Sequence, residues 1–233
     1  MGTSKGYIPP KNAQWKQAKG AVTRMLGTSK GSEGTKEAIS KYADAYMSTH
    51  LANSNISIVA GRVMNFLDSI SENGISTTAQ SLGLDSLLNK SGNELYKGIL
   101  DYFARDFSTI DMQIIRDSLS ETFKNLEVDN FEDFRKISSD EFLINFLIEF
   151  AIKNFEVCFA EKILSKSELA NDYDRIMDDV SKIIENKIVT DVVLGETLKL
   201  DYLGKEGQNY VVSVCRACFN TLRIMGDGYE NLD

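Results

Sequence analysis

From Ile99 to Leu194 the chain runs 96 residues without a glycine or a proline. Those two residues most readily end helices and form tight turns, so a stretch this long is built mainly from helices joined by polar connections. Both prolines of the 233-residue chain stand together at positions 9 and 10. Hydrophobic residues at 42% and charged residues at 26% lie near globular averages, so these helices are expected to pack around a core. The fold class predicted is all-α: a single multi-helix bundle of about eight helices with a flexible N-terminal tail.

The tail is defined by charge as well as composition. Residues 1–32 carry Lys5, Lys11, Lys16, Lys19, Arg24 and Lys30 and no acidic residue, whereas the remainder carries 20 basic and 34 acidic residues. We therefore divide the chain into a basic tail, 1–34, and an acidic helical domain, 35–233. An acidic body argues against broad nucleic-acid binding, because phosphate contacts need a positive surface. The string GTSKG occurs at 2–6 and again at 27–31, too short for a structural repeat. Ala13 to Leu26 has room for a helical turn or more around Trp15, Ala18 and Val22. The first thirty residues lack a long apolar run, and the most apolar later stretch, Phe142 to Ile152, is short and interrupted by Asn145 and Glu149. A cytoplasmic protein is expected.

Helical periodicity begins at Thr35. Helices are expected over 35–49, 55–71 with Asn73-Gly74 ending it, then from the Ser91-Gly92-Asn93-Glu94 capping box through Phe103, and over 109–126. Short elements are expected near 76–81 and 84–89. A second box, Ser138-Ser139-Asp140-Glu141, opens the strongest segment, 139–164. There Glu141, Asn145, Glu149 and Lys153 recur every fourth residue and leave Phe142, Leu143, Phe146, Leu147, Phe150, Ala151, Phe155 and Phe159 around most of the perimeter, so this helix is expected to be central and buried. Glu149 before Lys153 is the favourable order for an ion pair one turn apart. A further helix is expected from Ser167 to about Val193. Tyr210 to Met225 is ambiguous, since Tyr-Val-Val-Ser-Val favours strand and Cys215 to Met225 has helical spacing.

Chemistry has little material to work with. The phosphate-loop pattern and G-x-S-x-G are absent, and the one histidine, His50, would have to serve any triad alone. Cys215-Arg216-Ala217-Cys218 lacks the second ligand pair that zinc requires and is read as buried packing, as is Cys158. Asp172, Asp174, Asp178 and Asp179 have the spacing of a solvated helix face. The chain is expected to be no enzyme and to hold no metal or other cofactor. Myristoylation of Gly2 would want Ser or Thr at position 6, which is Gly6.

Four segments in order, the opening MGTSKGY, Leu82-Gly83-Leu84-Asp85-Ser86-Leu87, Thr109-Ile110-Asp111 followed by Arg116-Asp117 and Glu121-Thr122, and Glu149-Phe150-Ala151-Ile152, resemble the QatB family over about residues 1–165. The resemblance implies a component of a bacterial anti-phage defence operon that also encodes an ATPase, a QueC-like enzyme and a TatD-like nuclease. It further implies a protein that is acted upon: QueC-like enzymes activate a carboxylated deazapurine with ATP, and in defence operons they would join it to a partner's N-terminus. Gly2 would be the acceptor once Met1 is removed.

Elementary chemistry suits that role. An α-amine with a pKa near ~7.7–8.0 is about one-tenth or more neutral at pH 7, against well under ~0.1% for a lysine near ~10.4. Gly2 is also unhindered, and a 34-residue tail could reach up to roughly 110 Å. In this reading Thr3, Ser4, Lys5 and Gly6 enter the partner's channel and Pro9 and Pro10 form a semi-rigid spacer. Trp15 is either a partner anchor or a residue packed back on the body. Two alternatives stand beside it: a helical adaptor that binds the defence ATPase or nuclease unmodified, and a binder of nucleic acid through the basic tail.

Overall fold

In the computed structural model the described residues are 9–27, 31–49, 55–105, 109–166, 170–194 and 200–226. Among them nine α-helices follow one another: α1 Ala13–Gly27, α2 Gly31–Thr49, α3 Ile56–Asn73, α4 Ile75–Leu82, α5 Gly92–Phe103, α6 Ile110–Asn125, α7 Ser139–Leu164, α8 Ala170–Asp191 and α9 Lys205–Ile224. Short 3-10 turns occupy Asp85–Leu87 and Phe131–Lys136. No strand forms among the described residues, and Ser91 and Asn130 make one isolated antiparallel bridge. The all-helical class expected from the sequence is the one observed.

Helical structure begins at Ala13, well before residue 35, where the tail was expected to give way. Trp15, Ala18 and Ala21 recur every third residue with Val22 beside them, and this narrow apolar stripe is fully buried. α2 opens at Gly31, so the expected boundary falls inside it. The ambiguous C-terminal segment is also helix. Val211, Val214, Cys215, Cys218, Phe219 and Leu222 line one buried face of α9, and that periodicity overrides the strand preference of its valines.

Several helix ends form as the sequence indicates. Gly74, at φ +80°, donates its N–H to the Ile70 carbonyl and ends α3. The Thr109 hydroxyl accepts from the Met112 N–H, and Ser138 Oγ accepts from the Glu141 N–H at 3.1 Å. The box expected at Ser91 does not form: Ser91 caps α5 without a side-chain hydrogen bond, and Glu94 pairs with Lys90 at 2.6 Å. A box that the sequence reading passed over lies at Asn130 and Asp133. Asn130 accepts from the Glu132 N–H, and Asp133 accepts from the Asn130 and Asp129 N–H groups.

α7 is apolar over most of its circumference, as its spacing requires, with Phe142, Leu143, Phe146, Leu147, Phe150, Ala151, Phe155 and Phe159 all buried. The expected Glu149–Lys153 pair is not made. Lys153 meets Glu156 at 3.3 Å, and Glu149 accepts from Asn125 at 2.9 Å.

The chain divides into two compact units, each drawing on α7 and α9. The first holds α1, α2, α8, residues 151–164 of α7 and the end of α9 from Cys215. Tyr42 is its hub: the ring meets Trp15, Phe155, Phe159 and Phe219 with centroids 5.3 to 6.4 Å away. Its hydroxyl lies 2.9 Å from Asn154 Oδ1 and 3.3 Å from the Ala151 carbonyl, and donates to them. Asn154, an amide only 2% exposed, is thereby satisfied. Trp15 donates its indole N–H to Thr49 Oγ1 at 3.1 Å, and Arg24 pairs with Glu37 at 2.5 Å, so α1 is fastened to α2 at two points.

The second unit holds α3 to α6, the first half of α7 and residues 194–214. Its core is a phenylalanine cluster in which Phe66 meets Phe103, Phe131 and Phe134 at 5.1 to 5.8 Å, and Phe123 bridges Phe134 and Phe142. Residues 201–203 are clamped on α3 by Asn65, which donates to Asp201 and accepts from the Tyr202 N–H. Gly61 permits that approach: a Cβ there would stand 2.6 Å from the Tyr202 carbonyl oxygen.

Two stability predictions follow from these contacts. Trp15, the one tryptophan, is expected to resist acrylamide quenching in the folded protein, and Trp15→Ala to lose about 3–5 kcal/mol in denaturant unfolding; free quenching would mean that α1 is not docked. Gly20→Ala and Gly61→Ala should have opposite signs. The first removes a helix-interior glycine beside only the Arg24 side-chain tip and should raise stability by about 0.5–1 kcal/mol, whereas the second drives a methyl into backbone and should lower it by about 1–3 kcal/mol. Thermal melts of the two variants check this.

Candidate functional site

Of the residues assigned to partner recognition, Gly2, Thr3, Ser4, Lys5 and Gly6 lie outside the described residues, as does His50. Pro9, Pro10 and Trp15 lie within them. Pro9 is buried, Pro10 half-buried and Trp15 fully buried, so this part of the segment rests on the first unit. Asn12 starts α1 by accepting the Trp15 N–H on its side-chain oxygen at 2.9 Å. Of the two roles considered for Trp15, the structure has the indole packed between Tyr42 and Phe159, where no partner reaches it.

From Pro9 through α1 the described part of this segment is held on the first unit. The basic residues are redistributed. Lys11 and Lys16 are exposed and Lys19 half-exposed at the start of α1, while Arg24 is engaged by Glu37. What charge alone marked as a tail is, over 13–27, the cationic outer face of a docked helix.

The remaining chemistry-bearing residues fall into place by burial. Cys158, Cys215 and Cys218 are all buried. Burial pushes the Cys215 and Cys218 thiols up, Cys218 to about 12, so both remain protonated at neutral pH and pack as small apolar groups. Asp174, Asp178 and Asp179 are exposed on α8, with Asp178 paired to Lys182 at 2.6 Å, as expected of a solvated face.

One constellation was not legible beforehand. In the second unit a cleft of about 470 Å³ is bordered by Asp68 on α3, Asp140 at the start of α7, and Tyr202. Asp68 accepts from the Ser139 hydroxyl, and Asp140 accepts from the Tyr210 hydroxyl at 3.4 Å. Burial, followed by the nearby carboxylates, pushes both phenols up, Tyr210 to about 12. They are hydrogen-bond donors at neutral pH rather than bases. Asp68, Asp140 and Tyr202 stand more than sixty residues apart along the chain and share no spacing, so only folding brings them together.

No helix among the described residues is long and apolar enough to cross a membrane. No curated protein and no solved structure matches the chain. The family model described as Qat anti-phage system associated protein QatB does match, over residues 22–222. That span runs from within α1 to within α9, past residue 165 where the sequence resemblance stops, and leaves residues 1–21 outside it. The chain belongs to the QatB family and is a component of the Qat anti-phage defence system.

Proposed function

We propose that this protein is the acceptor in a conjugation reaction: Gly2, exposed by removal of Met1, receives a deazapurine from a QueC-like enzyme of the same defence system. The enzyme's ATP-activated deazapurine carboxylate is attacked by the neutral Gly2 amine, an amide forms, and the activating group and a proton leave. This chain contributes no catalytic residue and no cofactor, acts in the cytoplasm, and has the operon ATPase and TatD-like nuclease as further partners.

The observation that favours this reading is the docking of Pro9 and α1 on the first unit. It fixes the origin of a short leader, so a partner that recognises the body can find the terminal amine within about 25 Å. Ordering such a leader in a channel costs less conformational entropy than ordering a free 34-residue tail. Thr3, Ser4, Lys5 and Gly6 enter that channel and bind it, Pro9 and Pro10 stiffen the exit from the body, and Trp15 serves by holding α1 in place. The lower pKa of the α-amine selects Gly2 over Lys5.

The test is the intact mass and N-terminal peptide map of protein made with and without the QueC-like partner. A mass increase confined to the N-terminal peptide of the co-expressed form is expected. Gly2→Leu should abolish both the increase and phage defence while leaving the melting temperature unchanged. A free Gly2 under both conditions would favour the unmodified adaptor instead. Trp15→Ala, which keeps the amine and loosens α1, is expected to slow conjugation without preventing it.

A further inference from the structure

A second cleft in the second unit, of about 600 Å³, has a different character. Arg62 on α3 and Arg105 just past α5 both border it, together with Phe66, Tyr102, Leu82 and Leu203. Arg24, Arg116, Arg135 and Arg175 each meet a carboxylate at 2.5 to 3.7 Å. Among the described residues Arg62, Arg105, Arg216 and Arg223 meet none, and of these four Arg62 and Arg105 are the two that border the cleft. Arg62 donates one hydrogen bond, from Nη1 to the Phe103 carbonyl at 3.3 Å, and Arg105 lies over the Tyr102 ring at 4.8 Å. A guanidinium has five N–H donors in a planar fork, so both retain the groups that bind an anion bidentately.

In a chain of net charge −8, two arginines without carboxylate partners sharing one cleft mark a local positive potential. Apart from Asn65 and Ser69, the rest of the lining is apolar and aromatic. Phe66 is 1% exposed and closes the floor, while Leu203, 52% exposed, stands at the edge on the segment that Asn65 clamps to α3. Asn65 spends its amide on that clamp, and Ser69 shares its hydroxyl with Thr78. Neither offers the paired donor and acceptor that would read the edge of a particular base. The volume suits a ligand of mononucleotide size. Two guanidinium groups suit a single phosphoryl group, and the acidic remainder of the chain repels a polyanion.

We propose that this cleft binds a mononucleotide, its phosphate taken by Arg62 and Arg105 and its ring lying against Tyr102 and Leu203, with little discrimination among bases. The site is built from residues of the second unit alone, and the proposal is independent of whether Gly2 is modified.

Isothermal titration of the full chain with AMP, GMP, adenosine, inorganic phosphate and a single-stranded oligonucleotide tests it. AMP and GMP are expected to bind with affinities within about threefold of each other, and adenosine and phosphate at least about tenfold more weakly, since each supplies one of the two contacts. Arg105→Gln, at an exposed position, should lower AMP affinity about tenfold or more with an unchanged melting temperature. Arg62→Gln should act likewise, and Arg62→Lys should restore part of the loss. Absence of AMP and GMP binding at millimolar concentration would overturn the proposal, as would affinity indifferent to both arginine substitutions. Phosphate binding as tightly as AMP would reduce the cleft to a simple anion site, and an oligonucleotide binding far more tightly than AMP would make it a nucleic-acid contact; either result overturns the mononucleotide assignment.

Discussion

The fold depends on covering α7. A helix of 26 residues with phenylalanine, leucine and isoleucine around most of its perimeter cannot be left in water, and burying each large apolar side chain contributes roughly 1.5–3 kcal/mol. Every other helix has a narrower apolar stripe. In the first unit Phe155 and Phe159 are met by Tyr42, and Phe159 by Trp15 as well. In the second, Phe142 is met by Phe123, which also touches Phe134. α7 fixes what its neighbours must supply, and their single stripes fix which way each one faces.

Polar groups then select one arrangement among the many that would bury the same area. Asn154 sits on α7 among apolar neighbours and is satisfied by the Tyr42 hydroxyl. Left unpaired, such an amide would cost about 1–3 kcal/mol, so α2 is held in register against α7 within that unit. Asn65 plays the same part in the other unit. Its two hydrogen bonds pin residues 201 and 202 to α3, and Gly61 provides the room.

The biological reading changes the meaning of the charge division along the chain. Six basic residues against none looked like a tail set apart for a partner. The structure turns residues 9–27 of that segment into a docked helix and its approach. Under the proposed conjugation, holding Pro9 and α1 on the first unit lowers the ordering cost of presenting Gly2 to a partner. The cleft with Arg62 and Arg105 is a separate feature, made by the fold rather than by any local run of charge.

Helix class, the central role of α7, and most helix limits were legible because they rest on local rules: absence of breakers, 3.6-residue periodicity and end signals such as Asn73-Gly74 and Ser138. The competition for Glu94 and for Lys153 was not legible, since several partners lie within one or two turns and only the packed side chains choose among them. The candidate sites divide in the same way. The Gly2 proposal uses the identity of one residue and the ordinary basicity of an α-amine, neither of which depends on the fold. The docking of Trp15, the pairing of Asp140 with Tyr210, and the shared cleft of Arg62 and Arg105 join residues 34 to 70 positions apart. By itself the sequence determined that this chain would be helical and which faces would be apolar, because those are properties of neighbours along the backbone; the tertiary structure decided which polar and charged groups meet, because that depends on distances no spacing encodes.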